Sequence, residues 1–146
     1  AEAQSYMAPL PLEYDTSLNC YKQLMGSGDS ASPMGDSTSP MGGSTSPMGG
    51  HGSTNLVDAQ AIKDATMTHF ILENWQEGNL FIHYNGAYHS DDFESMNWFL
   101  KQARPDLNIV TISTVSQDAV EDLEEDSMGK ADFIIAVPSN MTQTSR

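Results

Sequence analysis

One cysteine, six basic residues and no long apolar run are the scarcities of this 146-residue chain, and each removes a class of protein. The lone thiol, Cys20, permits no internal disulfide, so the chain is not a disulfide-stapled scaffold; Cys20 reads as an ordinary free or buried thiol. Six Lys and Arg stand against twenty Asp and Glu, a formal net charge of −14. Without clustered cations the chain is no partner for nucleic acid or for an anionic membrane surface. No stretch approaches the ~20 apolar residues that a membrane-spanning helix needs. A charged start leading into an apolar h-region is also missing, and the chain begins with Ala1, which is compatible with a processed or truncated product. The phosphate loop, the G-x-S-x-G elbow and the C-x-x-C pair are absent too.

What is present divides into three parts. Residues 1–25 form a mixed segment with Pro9 and Pro11 early on, expected to pack on the domain. Tyr14, Leu18, Tyr21 and Met25 recur at helical spacing, which predicts a short helix from about Thr16 to Met25. Residues 26–54 are low in complexity: Ser32-Pro33-Met34-Gly35 recurs at Ser39–Gly42 and Ser46–Gly49. Pro and Gly in every repeat oppose a coiled coil, and so little apolar surface predicts a flexible loop. Its three Met thioethers and His51 would suit Cu(I), but expansion of an unconstrained loop accounts for them more simply. Residues 55–146 are orderly. Thr54 or Asn55 can cap a helix that runs to about Trp75, with Asp58 in its first turn and Gly78 ending it. Leu80–Tyr84 reads as a short apolar strand, Asp92–Ala103 as a helix stopped by Pro105, and Asn108–Val115 and Ala131–Val137 as two more strands. The order predicts an α/β fold, a mainly parallel sheet flanked by helices on both faces.

Ligand sites in open parallel sheets form at the carboxyl ends of strands. The first predicted strand runs into Asn85-Gly86-Ala87-Tyr88-His89-Ser90-Asp91-Asp92. Gly86 permits a sharp turn or close approach, and Tyr88 and His89 fall at the mouth, with Ser90 and Asp91 near a helix N-terminus. His89 can bind a metal, move protons or hold a ligand. His83, inside the strand, and His69, mid-helix, read instead as satisfied core or interlayer residues. Gln60, Asp64, Met67 and Ile71 share one face of the first long helix. That face either leads from a polar cleft into the core or carries an exposed Gln–Asp pair, the plainer reading. The acidic run Asp118, Glu121, Asp122, Glu124, Glu125 and Asp126 lacks EF-hand spacing and reads as a solvated face.

The stretch Ala59-Gln60-Ala61-Ile62-Lys63-Asp64-Ala65-Thr66-Met67, followed by Asn85-Gly86-Ala87-Tyr88-His89-Ser90, resembles the later half of ChaN-like haem-binding proteins. The wider group includes the Tiki proteases and erythromycin esterases. The resemblance covers about residues 55–142. It implies an extracytoplasmic, often lipid-anchored protein of bacterial haem or iron acquisition, with haem at a dimer interface and tyrosine and histidine taking part. The positions it carries over are Gln60, Asp64, Gly86 and His89. Tyr88 is adjacent and chemically suited to be an axial phenolate. The Gly-Glu-x-His motif of the family's earlier half is not in this sequence, so that half is expected as a separate chain or a lost fragment, the α/β domain being incomplete without it.

Three functions follow in order. The first is haem or iron binding with His89 or Tyr88 at the metal. The second is a metal-dependent hydrolase in which His89 joins carboxylates of the missing half around a divalent metal. The third is a non-catalytic surface or assembly protein. Asn140-Met141-Thr142 is a glycosylation sequon whose meaning depends on the source.

Overall fold

The computed structural model describes residues 3–26 and 52–142. The Ser/Pro/Met/Gly repeats, with His51 and the soft-metal reading, lie outside the described residues. Among the described residues the fold is mixed α/β: three α-helices and short 3₁₀ turns beside a two-stranded parallel sheet.

Helix α1 spans Asn19–Gly26. It follows an Asx turn in which the Asp15 carboxylate accepts from the Ser17 amide at 2.8 Å, a local bond that sets the chain up to enter a helix. Tyr21 is fully buried, Leu18 is half-buried and Met25 is exposed, so only part of the predicted face meets the core. Helix α2 spans Gly52–Asn74, starting before the predicted cap; Asp58 therefore lies beyond the first turn. Its buried residues, Val57, Ala61, Asp64, Ala65 and Thr68, recur at intervals of three and four, the period of one helical face. Two of them are alanines, which let neighbouring backbone approach closely. The helix ends at Asn74, whose side-chain amide donates to the Phe70 carbonyl at 2.7 Å. Gly78 follows at φ +85°, a left-handed conformation that a β-carbon would strain.

Helix α3 spans Met96–Ala103, four residues later than the predicted start. The displacement has a local cause. Asp92, Phe93 and Ser95 have φ of 58°, 59° and 52°, so no helix can run through them, and each costs on the order of 1–2 kcal/mol. Side chains hold the strained run in place. The Glu94 carboxylate accepts from the Cys20 amide at 2.7 Å, the Ser95 hydroxyl donates to the Tyr88 carbonyl at 3.2 Å, and the Asn97 amide donates to the Ser90 carbonyl at 2.9 Å. Met96, Phe99 and Leu100 then enter the core.

Two apolar clusters unite the helices. Cys20 and Tyr21 of α1 pack on Val57 and Ala61 of α2, while Ala8, Ala65 and Phe99 form the second group. Leu12 and Tyr14 touch both, so residues 8–14 strap the helices together. Burying a side chain the size of Phe99 is worth about 1.5–3 kcal/mol.

Strands β1 (Ile112–Gln117) and β2 (Phe133–Pro138) pair in parallel, Ile112 opposite Phe133 and Gln117 opposite Pro138. Both were expected, a few residues earlier. Asp132 pins their start: its carboxylate accepts from the Thr111 amide at 2.7 Å and the Thr111 hydroxyl at 2.9 Å. Two expectations are corrected here. Leu80–Tyr84 forms no strand; it runs without a ladder partner, with Leu80 and Tyr84 87 % and 90 % exposed, because among the described residues β1 pairs only with β2. The sheet is also not covered on both faces, since Ile112, Phe133 and Ile135 all stand more than half exposed. His83, exposed within the unpaired run, is not a core histidine. His69 is half-buried and sits 3.5 Å from Glu73 on the next turn of α2.

Candidate functional site

Helix α2 and the 3₁₀ turn Ala87–His89 bring together residues that lie 25 or more apart in sequence. Asp64 is wholly buried. Its Oδ1 lies 2.5 Å from His89 Nδ1, and its Oδ2 accepts a hydrogen bond from the Tyr21 hydroxyl at 3.0 Å. Gln60, one turn earlier, places its amide nitrogen 2.8 Å from the same His89 Nδ1 and 3.5 Å from Asp64 Oδ1. A carboxylate only accepts, so the geometry makes Nδ1 of His89 the protonated nitrogen and the donor to Asp64. A protonated Nδ1 cannot accept from Gln60, so the Gln60 amide is better placed with its oxygen toward the ring. The His89 side chain retains 22 % of its surface. Its remaining nitrogen, Nε2, is the one left for a ligand.

The predicted set is therefore largely assembled, by a different route from the one expected. Gln60 and Asp64 are not an exposed pair at a helix margin; Asp64 is core and Gln60 half-buried. His89 owes its place to α2, not to the end of a strand. Gly86 has φ −67° and ψ 143°, ordinary extended backbone, so no special turn requires glycine there. A β-carbon added to Gly86 would meet His89 Cδ2 at 3.9 Å, ordinary van der Waals contact, so the ring does not require glycine there either. Tyr88 points elsewhere: its hydroxyl donates to the Cys20 carbonyl, and its ring packs on the α1–α2 cluster. Tyr21 joins these residues and was read from sequence only as one position on a helical face. Its spacing gave its helical face but not the acid it meets 43 residues later.

Electrostatics follow burial. Desolvation, with the nearby Cys20, Asp64 and Glu94 charges, pushes the Tyr88 phenol up to about 12. Desolvation and the hydrogen bond to Asp58 take Tyr14 to about 12. Tyr21 is raised further, by burial first and then by Asp64. A phenol that ionises near 10 when unfolded and only near 12 when folded contributes stability that is whole below 10 and lost as pH rises toward 12. Chemical denaturation at a series of pH values should therefore show stability falling between about 10 and 12, with the part of the tyrosinate absorbance that belongs to Tyr14, Tyr21 and Tyr88 appearing late and together with unfolding. Early, non-cooperative ionisation of all tyrosines would contradict this arrangement.

Beside His89 lies a shallow open groove of about 350 Å³, lined by Tyr6, Met7, Ile62, Lys63, Thr66 and Met67. Thr66 ties its floor to the strap by accepting from the Ala8 amide at 3.1 Å. The groove is mainly apolar with one cation, Lys63. Among the described residues no three His, Cys, Asp or Glu side chains converge to hold a metal ion.

Fold and site together define a mixed α/β protein in which a buried carboxylate orients a half-buried histidine beside a shallow apolar groove. The chain belongs to the family described as haem-binding uptake, Tiki superfamily, ChaN, whose family model matches residues 1–100. The match reaches back through the N-terminal segment and stops at the end of the core part of α3, whereas the resemblance was expected over about 55–142. Gln60, Asp64, Gly86 and His89 lie in the stretch common to both. No curated protein and no solved structure matches the chain.

Proposed function

We propose that the chain binds haem or iron through Nε2 of His89, as an extracytoplasmic protein of haem or iron acquisition. The observation that carries the reading is the buried Asp64 carboxylate 2.5 Å from His89 Nδ1. Histidines that ligate metals commonly donate their other nitrogen to a carboxylate, which fixes the tautomer and makes the ligating nitrogen more basic. The surroundings fit a porphyrin in kind: Tyr6, Met7, Ile62 and Met67 offer an apolar shelf, and Lys63 a cation for a propionate. When bound, haem would supply an iron centre, and His89 is the residue that would hold it. Tyr88 is the weaker candidate for that role, because its hydroxyl is engaged by Cys20 and its phenol resists ionisation.

A groove of about 350 Å³ is small and open beside the pockets of roughly 300–1,000 Å³ that enclose ligands. It offers one wall. The second wall comes from another polypeptide, either a second copy of this chain or the family's other half, as a separate chain. The exposed apolar run Leu80–Tyr84 and the bare face bearing Ile112, Phe133 and Ile135 support that reading, because parallel strands are normally covered on both faces. Titration with haemin should produce a shifted Soret band that saturates, with a rise in mass by light scattering if two copies share the ring. No spectral change at micromolar haemin would remove the proposal. The Asp64–His89 pair is also the arrangement of a general base held by an acid, so a metal-dependent hydrolase is the second reading. With no three-ligand cluster among the described residues, it needs carboxylates from the other half. Peptide or ester hydrolysis that depends on divalent metal and appears only with that half present would favour it over binding.

A further inference from the structure

The hydroxyl of Tyr21 is the far end of a hydrogen-bonded chain that terminates at His89. Tyr21 has no exposed surface and donates to Asp64 Oδ2 at 3.0 Å, and the other oxygen of the same carboxylate lies 2.5 Å from His89 Nδ1. The ring of Tyr21 cannot swing away. Tyr14 meets it edge-on, centroids 5.5 Å apart at 77°, and Cys20, Val57 and Ala61 pack around it. The Asp64 carboxylate is thus clamped between two donors, one on α1 and one on the turn carrying His89. A carboxylate held by one donor alone can rotate about its χ2 angle, which is broad for sp³–sp² torsions. Held by two, it presents one oxygen in one direction.

We propose that Tyr21 is a positioning residue for His89: it fixes the orientation of Asp64 and withdraws part of its charge, and thereby sets the tautomer and donor strength of the imidazole. The inference rests on the reading of His89 as the ligand-binding side chain, and it makes α1, which precedes the repeat segment, part of the site. Hydrogen bonds in such a chain polarise one another, so removing the first alters the last.

Tyr21→Phe deletes the hydroxyl and keeps the ring. Affinity for haemin should fall about tenfold, the low end of what losing an outer partner of a ligand costs, with the melting temperature lowered by several degrees, since Asp64 Oδ2 loses its donor in a wholly buried position. A second measurement uses the protein without haemin. The Nδ1 proton of His89, in a short buried hydrogen bond, should give a far-downfield resonance in the proton NMR spectrum. It should move further downfield in Tyr21→Phe, as Asp64 regains charge, and upfield when 3-fluorotyrosine, a stronger donor, stands at position 21. Shifts of opposite sign are not produced by loosened packing. If the resonance stays put in both, or shifts the same way in both, Tyr21 is only a core residue and the proposal is overturned. If it moves as expected while the wild-type chain takes up no haemin, the positioning chain stands and the haem reading falls.

Discussion

Replacing His89 by alanine is expected to lower haemin affinity by more than about 100-fold, beyond the 10–100-fold that the loss of a hydrogen-bonded partner of a ligand brings. The Soret shift seen with the wild-type chain should vanish, and added imidazole should restore part of it. Stability should change modestly. His89 keeps 22 % of its surface, and its removal takes from Asp64 Oδ1 the donor that lies 2.5 Å away; an acceptor left so costs about 1–3 kcal/mol. Tyr88→Phe separates the two candidates. That change removes one hydrogen bond to the Cys20 carbonyl, worth about 0.5–1.5 kcal/mol, and should leave haemin binding intact. A Tyr88→Phe protein that loses the Soret shift while His89→Ala keeps it would make the phenol the residue that holds haem and sink the histidine reading.

The contrast between those two neighbours shows what could be read from residues alone. The helical periodicity of α2, a local pattern, put Gln60 and Asp64 on one face, while the resemblance of the Asn85–Ser90 stretch singled out Gly86 and His89. Nothing local distinguishes Tyr88 from His89. Which of them turns toward Asp64 and which toward Cys20 is decided by contacts across 25 and 68 residues. Tyr21 was invisible for the same reason. A signal did exist, as a short helix with an aromatic hydroxyl on its inner face beside a helix with an acid among its small buried residues. The expected strand Leu80–Tyr84 fails differently. Its composition is that of a strand, but strand formation is a pairing event, and composition cannot supply the partner. The start of α3 was missed because Asp92, Phe93 and Ser95 take left-handed conformations that tertiary bonds such as those of Glu94, Ser95 and Asn97 sustain.

Asp64 is where stability and function can be pulled apart. Asp64→Ala strands the Tyr21 hydroxyl in a position with no exposed surface, a buried donor without an acceptor, and a loss of about 1–3 kcal/mol follows. For a chain of this size that lowers the melting temperature by several degrees, and binding is lost with it. Asp64→Asn is nearly the same shape. The amide oxygen can still accept from Tyr21, so the melting temperature should stay close to that of the wild type. The amide nitrogen, however, now faces His89 Nδ1 and donates to it. That reverses the direction of the bond and drives the proton to Nε2, the nitrogen on which a metal would sit. Asp64→Asn should therefore fold almost normally yet bind haemin as weakly as His89→Ala, and the far-downfield Nδ1 proton should be absent from its spectrum. If Asp64→Asn binds haemin like the wild type, the tautomer of His89 does not matter. The histidine would then be no ligand, and Asp64 would be no more than a buried link between α1 and α2.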